Sequence, residues 1–536
     1  MFDANFHQRK SLSRWIVANC GCGVLWLATT SPSAAAEAVS AAPPSVASLD
    51  ECIARDLGDA PPDSWPQVDD LSFLRRATLD VLGRRPTLEE QAAFLADARP
   101  ERRAALVDRL LQDPEFGRNW ANYWCDLIAY RVVPPAEVVI DYGPFKQWFA
   151  GEWNAGRPWT EIVGAIVTAS GRIEERPAVT FMAYHEAQPT KLAAETARLF
   201  LGKQIGCAEC HDHPFDVWTR DQFHQFAAAF HGLEILRRKG GAADGVNPRP
   251  GGEYRAPDVG RPGEHGPPLQ PSALTGESLV AEDPRTAVAA WLSQPANPWF
   301  ARAFVNHVWT RTMTRGLGDS VEAVSDDSRL PATHAFLAER FIASGYDIRD
   351  CFRTLLASRY YARSSTADTA PLALRGDEVF AVLSGALESD LALPPSELAP
   401  PPAMPASNDG LPPPKTPIPQ SAADRVHDRF GYDPALRPDQ QQPTILQALY
   451  LMNHPRLQQE FAAAPGSPTL LARLLAEEAD DRRVVETLYR RALGREPTAA
   501  EVLVFAEHRD ELGDRQEAFE DLLWALVNSA EFLTRR

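Results

Sequence analysis

Residues 207–213 read Cys-Ala-Glu-Cys-His-Asp-His, and the first five set two thiols and an imidazole at the spacing Cys-x-x-Cys-His. Each fixed residue has its own chemistry. Two thiols separated by two residues can add across the two vinyl groups of a haem, and the next residue can place an imidazole on one face of the iron. Cys207 and Cys210 are therefore candidate thioether attachments, with His211 the candidate proximal ligand of a haem c. Two other chemistries fit the same stretch. Cys207, Cys210, His211 and His213 supply two thiolates and two imidazoles, a donor set suited to tetrahedral zinc. Cys207 and Cys210 alone suit a disulfide or a redox dithiol.

A six-coordinate haem needs a second axial ligand. His224 and His231 stand seven residues apart on one face of the helix expected after the motif, while His185 and Met182 lie upstream beside a turn. The sixth position is open among these four, or vacant. Asp212, Asp216 and Asp221 put carboxylates around the motif, where loop capping and hydrogen bonds to a histidine are the plain expectation and acid–base catalysis the sharper one.

The elements that must hold these residues read as helix. The tracts 72–82, 101–111, 191–201, 335–342 and 484–493 carry apolar residues at three- and four-residue spacing. Strand signals are sparse, with 178–184 the best short candidate. A mainly α, multi-helical two-domain protein is expected. Gly202 and Gly206 interrupt the chain just before Cys207, and Thr219 can cap a helix over 220–231.

A repeat frames the two ends of the chain. Residues 74–90 and 485–501 both contain Leu-Gly-Arg-x-Pro-Thr-x-x-Glu, and each copy later reaches a Glu-Phe pair, at Glu115-Phe116 and Glu531-Phe532. Gly83 and Gly494 suit left-handed helix ends. Thr87 with Glu90, and Thr498 with Glu501, suit capping boxes. A helix–turn–helix scaffold accounts for all of it.

Breakers divide the rest. The expected plan is a signal peptide at 1–36, a helical domain with the Cys-x-x-Cys-His motif at 37–237 and a Gly/Pro-rich linker at 238–284. A C-terminal domain follows at 285–392 and 421–536, interrupted by a Pro-rich insert at 393–420. The chain has 536 residues and 46 prolines, many of them in these two breaker-rich stretches.

Residues 1–36 combine Arg9, Lys10 and Arg14, an apolar run to Thr30 and a small-residue stretch at Ser33–Ala36, the layout of a secretory signal. Export to the periplasm or cell envelope is the expectation, with no transmembrane span after the signal. Removing that segment leaves 51 basic against 71 acidic residues, a net charge of −20. Such a charge speaks against nucleic acid as a partner. Five cysteines remain, an odd number that does not make a disulfide framework. Redox partners such as other c-type cytochromes are the expected company of a haem.

Longer stretches extend the pattern. The run from Phe200 to Trp218, which contains Cys-Ala-Glu-Cys-His-Asp-His-Pro-Phe-Asp, closely resembles the first of two cytochrome-associated, planctomycete-type domains of unknown function. Tyr142-Gly143-Pro144-Phe145, Gly156-Arg157-Pro158-Trp159 and Thr168-Ala169-Ser170-Gly171 fit the same domain. Asn297–Arg302, Phe304-Val305-Asn306-His307-Val308-Trp309, Ser344-Gly345-Tyr346-Asp347, Leu356–Tyr360 and Gln447–Asn453 are similar to its usual C-terminal partner. The resemblance spans most of residues 50–536. It implies export and a link to cytochromes, and no known activity. His307 stands where the resemblance leads us to expect arginine, and residues 37–65 hold no second haem motif.

Two functional classes follow from the sequence. One is an exported c-type haem protein for electron transfer or redox sensing in an envelope assembly. The other is a structural or carbohydrate-associated envelope module whose Cys/His cluster binds zinc or forms a disulfide, with Trp218, Trp299 and Trp309 as binding platforms. A hydrolase using the aspartates near the motif is a third reading.

Overall fold

A computed structural model describes residues 46–129, 142–238, 243–364, 372–391, 422–433 and 444–535, apart from residues 250, 314, 315, 319, 323, 325–327 and 465. Residues 1–36, where a signal peptide is expected, and 393–420, where a Pro-rich insert is expected, lie outside the described residues. The fold is mainly α. No described helix is long and apolar enough to cross a membrane.

Two apolar cores organise the helices. The first draws on residues from Leu49 to Ala362 and is dense in aromatics. Trp120, Trp153 and Phe352 pack together within it, with Trp124, Trp159 and Phe304 alongside. Such rings bury large areas at fixed geometry, which makes them effective anchors between helices. Trp309 belongs to this core and is fully buried, so it packs rather than offers a platform. The second core is built from residues 374–532 and one residue from the N-terminal half, Leu79.

The repeat forms as its sequence requires. Gly83 and Gly494 end their helices in the left-handed region, at φ 72° and 66°. Thr87 Oγ1 accepts from the Glu90 amide (3.2 Å) and Glu90 Oε2 accepts from the Thr87 amide (2.8 Å). Thr498 and Glu501 do the same at 3.2 and 2.7 Å. The arginine after each glycine then clamps two carboxylates, Arg84 with Glu90 and Glu115, Arg495 with Glu501 and Glu531. The two copies also meet each other. Arg75 pairs with Glu531 at 2.9 Å, and Gln91 donates to the Arg490 carbonyl at 3.1 Å.

Two segments depart from the expectation. Residues 178–184 form a short 3-10 turn, Pro177–Val179, and a helix, Thr180–Tyr184, rather than a strand. A short, fully buried apolar run has no polar face to reveal its period, and Pro177 starts a helical turn readily. The stretch 238–284 is more than a linker. Leu233–Arg237, Ala243–Pro248 and Gly171–Arg172 make a three-stranded antiparallel sheet with Ala243–Pro248 central, and Ile235 and Gly171 both pair with Val246. A Cβ at Gly245 would lie 2.1 Å from the Gly171 carbonyl oxygen, so the glycine there serves close strand approach rather than flexibility. Arg255–Pro257 and His265–Pro268 form a second, two-stranded ribbon. Val246, Tyr254 and Leu274 from this stretch are buried in the first core.

Candidate functional site: the Cys207–Trp218 loop

The approach to the motif is built from a widened, underwound helix end. The helix Pro189–Thr196 passes into a π-helical turn, Ala197–Leu201, which stops at Gly202 with φ 61°. A Cβ there would lie 2.5 Å from Val324 Cγ2, so glycine is required twice over, by backbone and by space. Lys203 Nζ then donates to the Val324 carbonyl at 2.6 Å and lies 5.2 Å from the centre of the Trp299 ring.

Gly206–Glu209 is a single 3-10 turn in which Ala208 is fully buried, while Cys207 and Cys210 on either side are exposed. Ala208 pins the turn to the first core and both thiols face solvent. The loop that follows closes on itself. The His213 amide donates to the Trp218 carbonyl at 2.8 Å, and the Trp218 side chain is buried edge-on against Trp299. Trp218 and Trp299 are thus packing residues that hold the loop's base. Beyond them, Thr219 and Gln222 complete a capping box for the helix Arg220–Ala227.

The carboxylates hold this loop in shape. Asp212 Oδ1 accepts from the Arg220 amide at 2.8 Å. Asp216 accepts from the Val217 amide and from Trp218 Nε1, at 2.7 and 3.0 Å. His213 Nδ1 accepts from the Phe215 amide at 3.2 Å. Asp212, Asp216 and His213 therefore hold the loop's own amides and the Trp218 indole.

His211 is exposed, and its Nδ1 lies 2.8 Å from the Asp212 carbonyl oxygen. A carbonyl only accepts, so Nδ1 carries a hydrogen, and in the neutral ring Nε2 keeps its lone pair for a ligand-binding role. Both cysteines are free thiols. Around them the surface is unusually apolar for an exposed loop, with Phe215 95 % and Val217 77 % exposed. Among the described residues, Cys207, Cys210, His211 and His213 do not gather three ligand atoms within 4.8 Å of one another.

The candidate sixth ligands separate sharply. His224 is buried beside the motif, with Nε2 3.0 Å from the Glu209 carbonyl and Nδ1 2.8 Å from the Tyr254 hydroxyl. The Glu209 carbonyl fixes the tautomer, so Tyr254 donates to Nδ1 and both ring nitrogens are engaged. Burial lowers the His224 pKa, which keeps the ring neutral, and burial pushes the Tyr254 phenol up to about 12. His231 is exposed, its ring 5.9 Å from Tyr254, and lines a cavity of about 670 Å³ together with Tyr254 and Arg249. His185 and Met182 are fully buried in the first core. His307, in the place of the expected arginine, is also buried; desolvation lowers its pKa to about 3, and its Nδ1 lies 3.0 Å from the Tyr123 hydroxyl.

Sequence reasoning did not find Tyr254, which sits in a stretch read as linker and joins His224 only through the fold. Its aromatic character amid Gly and Pro is the signal that could have marked it as buried.

Residues 48–234 match the family model described as a protein of unknown function (DUF1549). Residues 284–382 match a second, described as a protein of unknown function (DUF1553). The chain carries these two domains in tandem. The Cys207–Trp218 loop falls within the first domain, and Trp299, which packs beneath it, within the second. No curated protein and no solved structure matches the chain.

Proposed function

We propose that this chain is an exported c-type haem protein in which Cys207 and Cys210 form the thioether bonds and His211 is the proximal ligand. The observation that carries the reading is the exposure of two free thiols and an imidazole on one anchored loop, with the ring nitrogen Nε2 unengaged. Covalent attachment needs thiols that a maturation enzyme can reach, and this loop offers them without unfolding. Phe215 and Val217 supply apolar surface beside the thiols, of the kind a porphyrin face covers. The bound haem would supply one-electron transfer, its potential set by ligation and exposure.

The chain's own residues have positioning roles. The Asp212 carbonyl holds the His211 ring, Ala208 and Trp218 pin the two ends of the loop, and His224 ties the Glu209 carbonyl to Tyr254. Electron transfer or redox sensing with other c-type cytochromes in the envelope is the role that fits an exposed centre.

The test is an absorption spectrum with a pyridine haemochrome assay on protein exported alongside cytochrome c maturation machinery. A Soret band that survives acid–acetone extraction is expected. A colourless protein from cells that mature a control cytochrome would sink the reading. Metal analysis and thiol counting on that sample would then separate zinc from a disulfide in a non-haem envelope module.

A further inference from the structure

Away from the loop, three residues far apart in sequence converge. Asp126 lies on the helix Pro114–Ala129, Asp377 on Gly376–Leu387 and His427 on Ala422–Phe430. Their ligand atoms all fall within 4.8 Å of one another. The first domain supplies Asp126, the second Asp377, and a helix beyond both supplies His427.

The backbone is shaped for this meeting. A Cβ at Gly376 would lie 2.5 Å from His427 Cα and 2.7 Å from the His427 carbonyl oxygen. Only glycine lets the two helices touch there, and the contact sits one residue before Asp377. Asp377 is then held rigidly. Arg375 donates to both of its oxygens (3.0 and 2.9 Å), and Asn122 Nδ2 donates to Oδ2 at 2.9 Å. Outer partners of this type orient a carboxylate and leave lone pairs free for an ion.

Asp126 is different. Its side chain is 11 % exposed, yet it accepts no hydrogen bond from any described residue. Among the described residues, the basic groups within 4 Å of it are His427 Nε2 at 3.5 Å and Arg375 Nε at 4.0 Å. A nearly buried carboxylate without a hydrogen bond is costly and calls for a partner. Burial accordingly raises its pKa, whereas Arg375 holds the Asp377 carboxyl low.

The 3.5 Å gap between Asp126 and His427 is too long for a good hydrogen bond. It matches the edge of a tetrahedron whose ligand bonds are about 2.0–2.2 Å, roughly 3.3–3.6 Å. Charge agrees. Among the described residues Lys146, Arg375 and Arg429 are the cations facing the group, against Asp126, Asp377, Asp424 and Asp428. Glu378 beside them is met by Arg311 and Arg535. Four carboxylates against three fixed cations leave the group on the acidic side, which favours a bound cation.

We propose that Asp126, Asp377 and His427 bind a divalent first-row transition ion of the zinc type. One imidazole and two carboxylates suit zinc better than calcium or magnesium, which prefer all-oxygen shells. Three protein ligands leave a position for water or a substrate oxygen, the pattern of a reactive rather than a closed structural centre. The site is independent of haem attachment.

The experiment uses the full chain carrying Cys207→Ser and Cys210→Ser, so that the motif thiols do not take up metal. Zinc alone is titrated against a chromophoric chelator after removal of endogenous metal. One equivalent bound is expected, with affinity lowered at least tenfold by Asp126→Asn and by His427→Gln. Zinc should also raise the melting temperature of the parent but not of His427→Gln. His427 is 35 % exposed at its side chain, so this variant is the safe one if Asp126→Asn fails to fold. No zinc bound by the folded parent, or unchanged affinity in His427→Gln, would overturn the proposal.

Discussion

The Cys207–Trp218 loop and the Asp126–Asp377–His427 cluster place chemistry in opposite ways. The loop carries its groups within seven consecutive residues and displays them to solvent, held by Ala208 and Trp218 at its base. The cluster gathers its groups from three helices and largely buries them. In the first, reactivity is local and the fold is only a mount. In the second, the fold is the site, and Gly376, Arg375 and Asn122 matter as much as the ligands. Stability should therefore be indifferent to changes in the loop's exposed groups and sensitive to changes around the cluster.

The largest effect is expected at Arg535. Its guanidinium is buried and bonds Asp80, Glu378 and the Arg311 carbonyl, beneath the Arg375 that holds Asp377. Arg535→Ala leaves two buried carboxylates short of a partner and should cost about 3–5 kcal/mol in denaturant unfolding. A loss below about 1 kcal/mol would show that the floor of the cluster does not depend on this network.

Acid should act on the same cores. Desolvation lowers the pKa of His185 to about 4, of His307 to about 3 and of His334 to about 4. In each case the unfolded chain takes up a proton that the folded chain refuses. Their contribution is complete above pH 6.5 and is lost as pH falls from there towards 4, by about 1.4 kcal/mol per unit for each histidine. Urea unfolding at pH 7 and pH 5 reads this directly, and His185→Gln should flatten the dependence.

The repeat offers a finer comparison, since one copy serves each core. Thr87→Ala and Thr498→Ala each remove one capping box and should each cost about 1 kcal/mol. Equal losses support two equivalent scaffold copies. A much larger loss in one copy would mean that its helix carries more of the packing.

The smallest effect belongs to the loop. Phe215→Ala, made in protein without haem, should change stability by no more than about 0.5 kcal/mol, because the ring is 95 % exposed. A clear loss would mean that the ring packs in solution.

What could be read from sequence follows the same division. The motif, the helical tracts and both capping boxes were legible because each depends on residues a few positions apart. The strand misreading at 178–184 and the linker misreading after 238 arose where tertiary contact decides the outcome. Val246 pairs with Gly171 and Ile235, and neither partner is signalled by the Gly/Pro-rich sequence around it. Asp126 and His427 sit 301 positions apart, so no local pattern could join them.

The central claim is that the exposed loop carries covalent haem. Its most direct test is mass spectrometry of the peptide spanning Cys207–His211, after denaturation and thiol reduction, from protein exported with cytochrome c maturation machinery. Haem retained on that peptide is the predicted result, because thioethers survive both treatments. Two alkylatable thiols on the same peptide, in cells that load a control cytochrome, would contradict it.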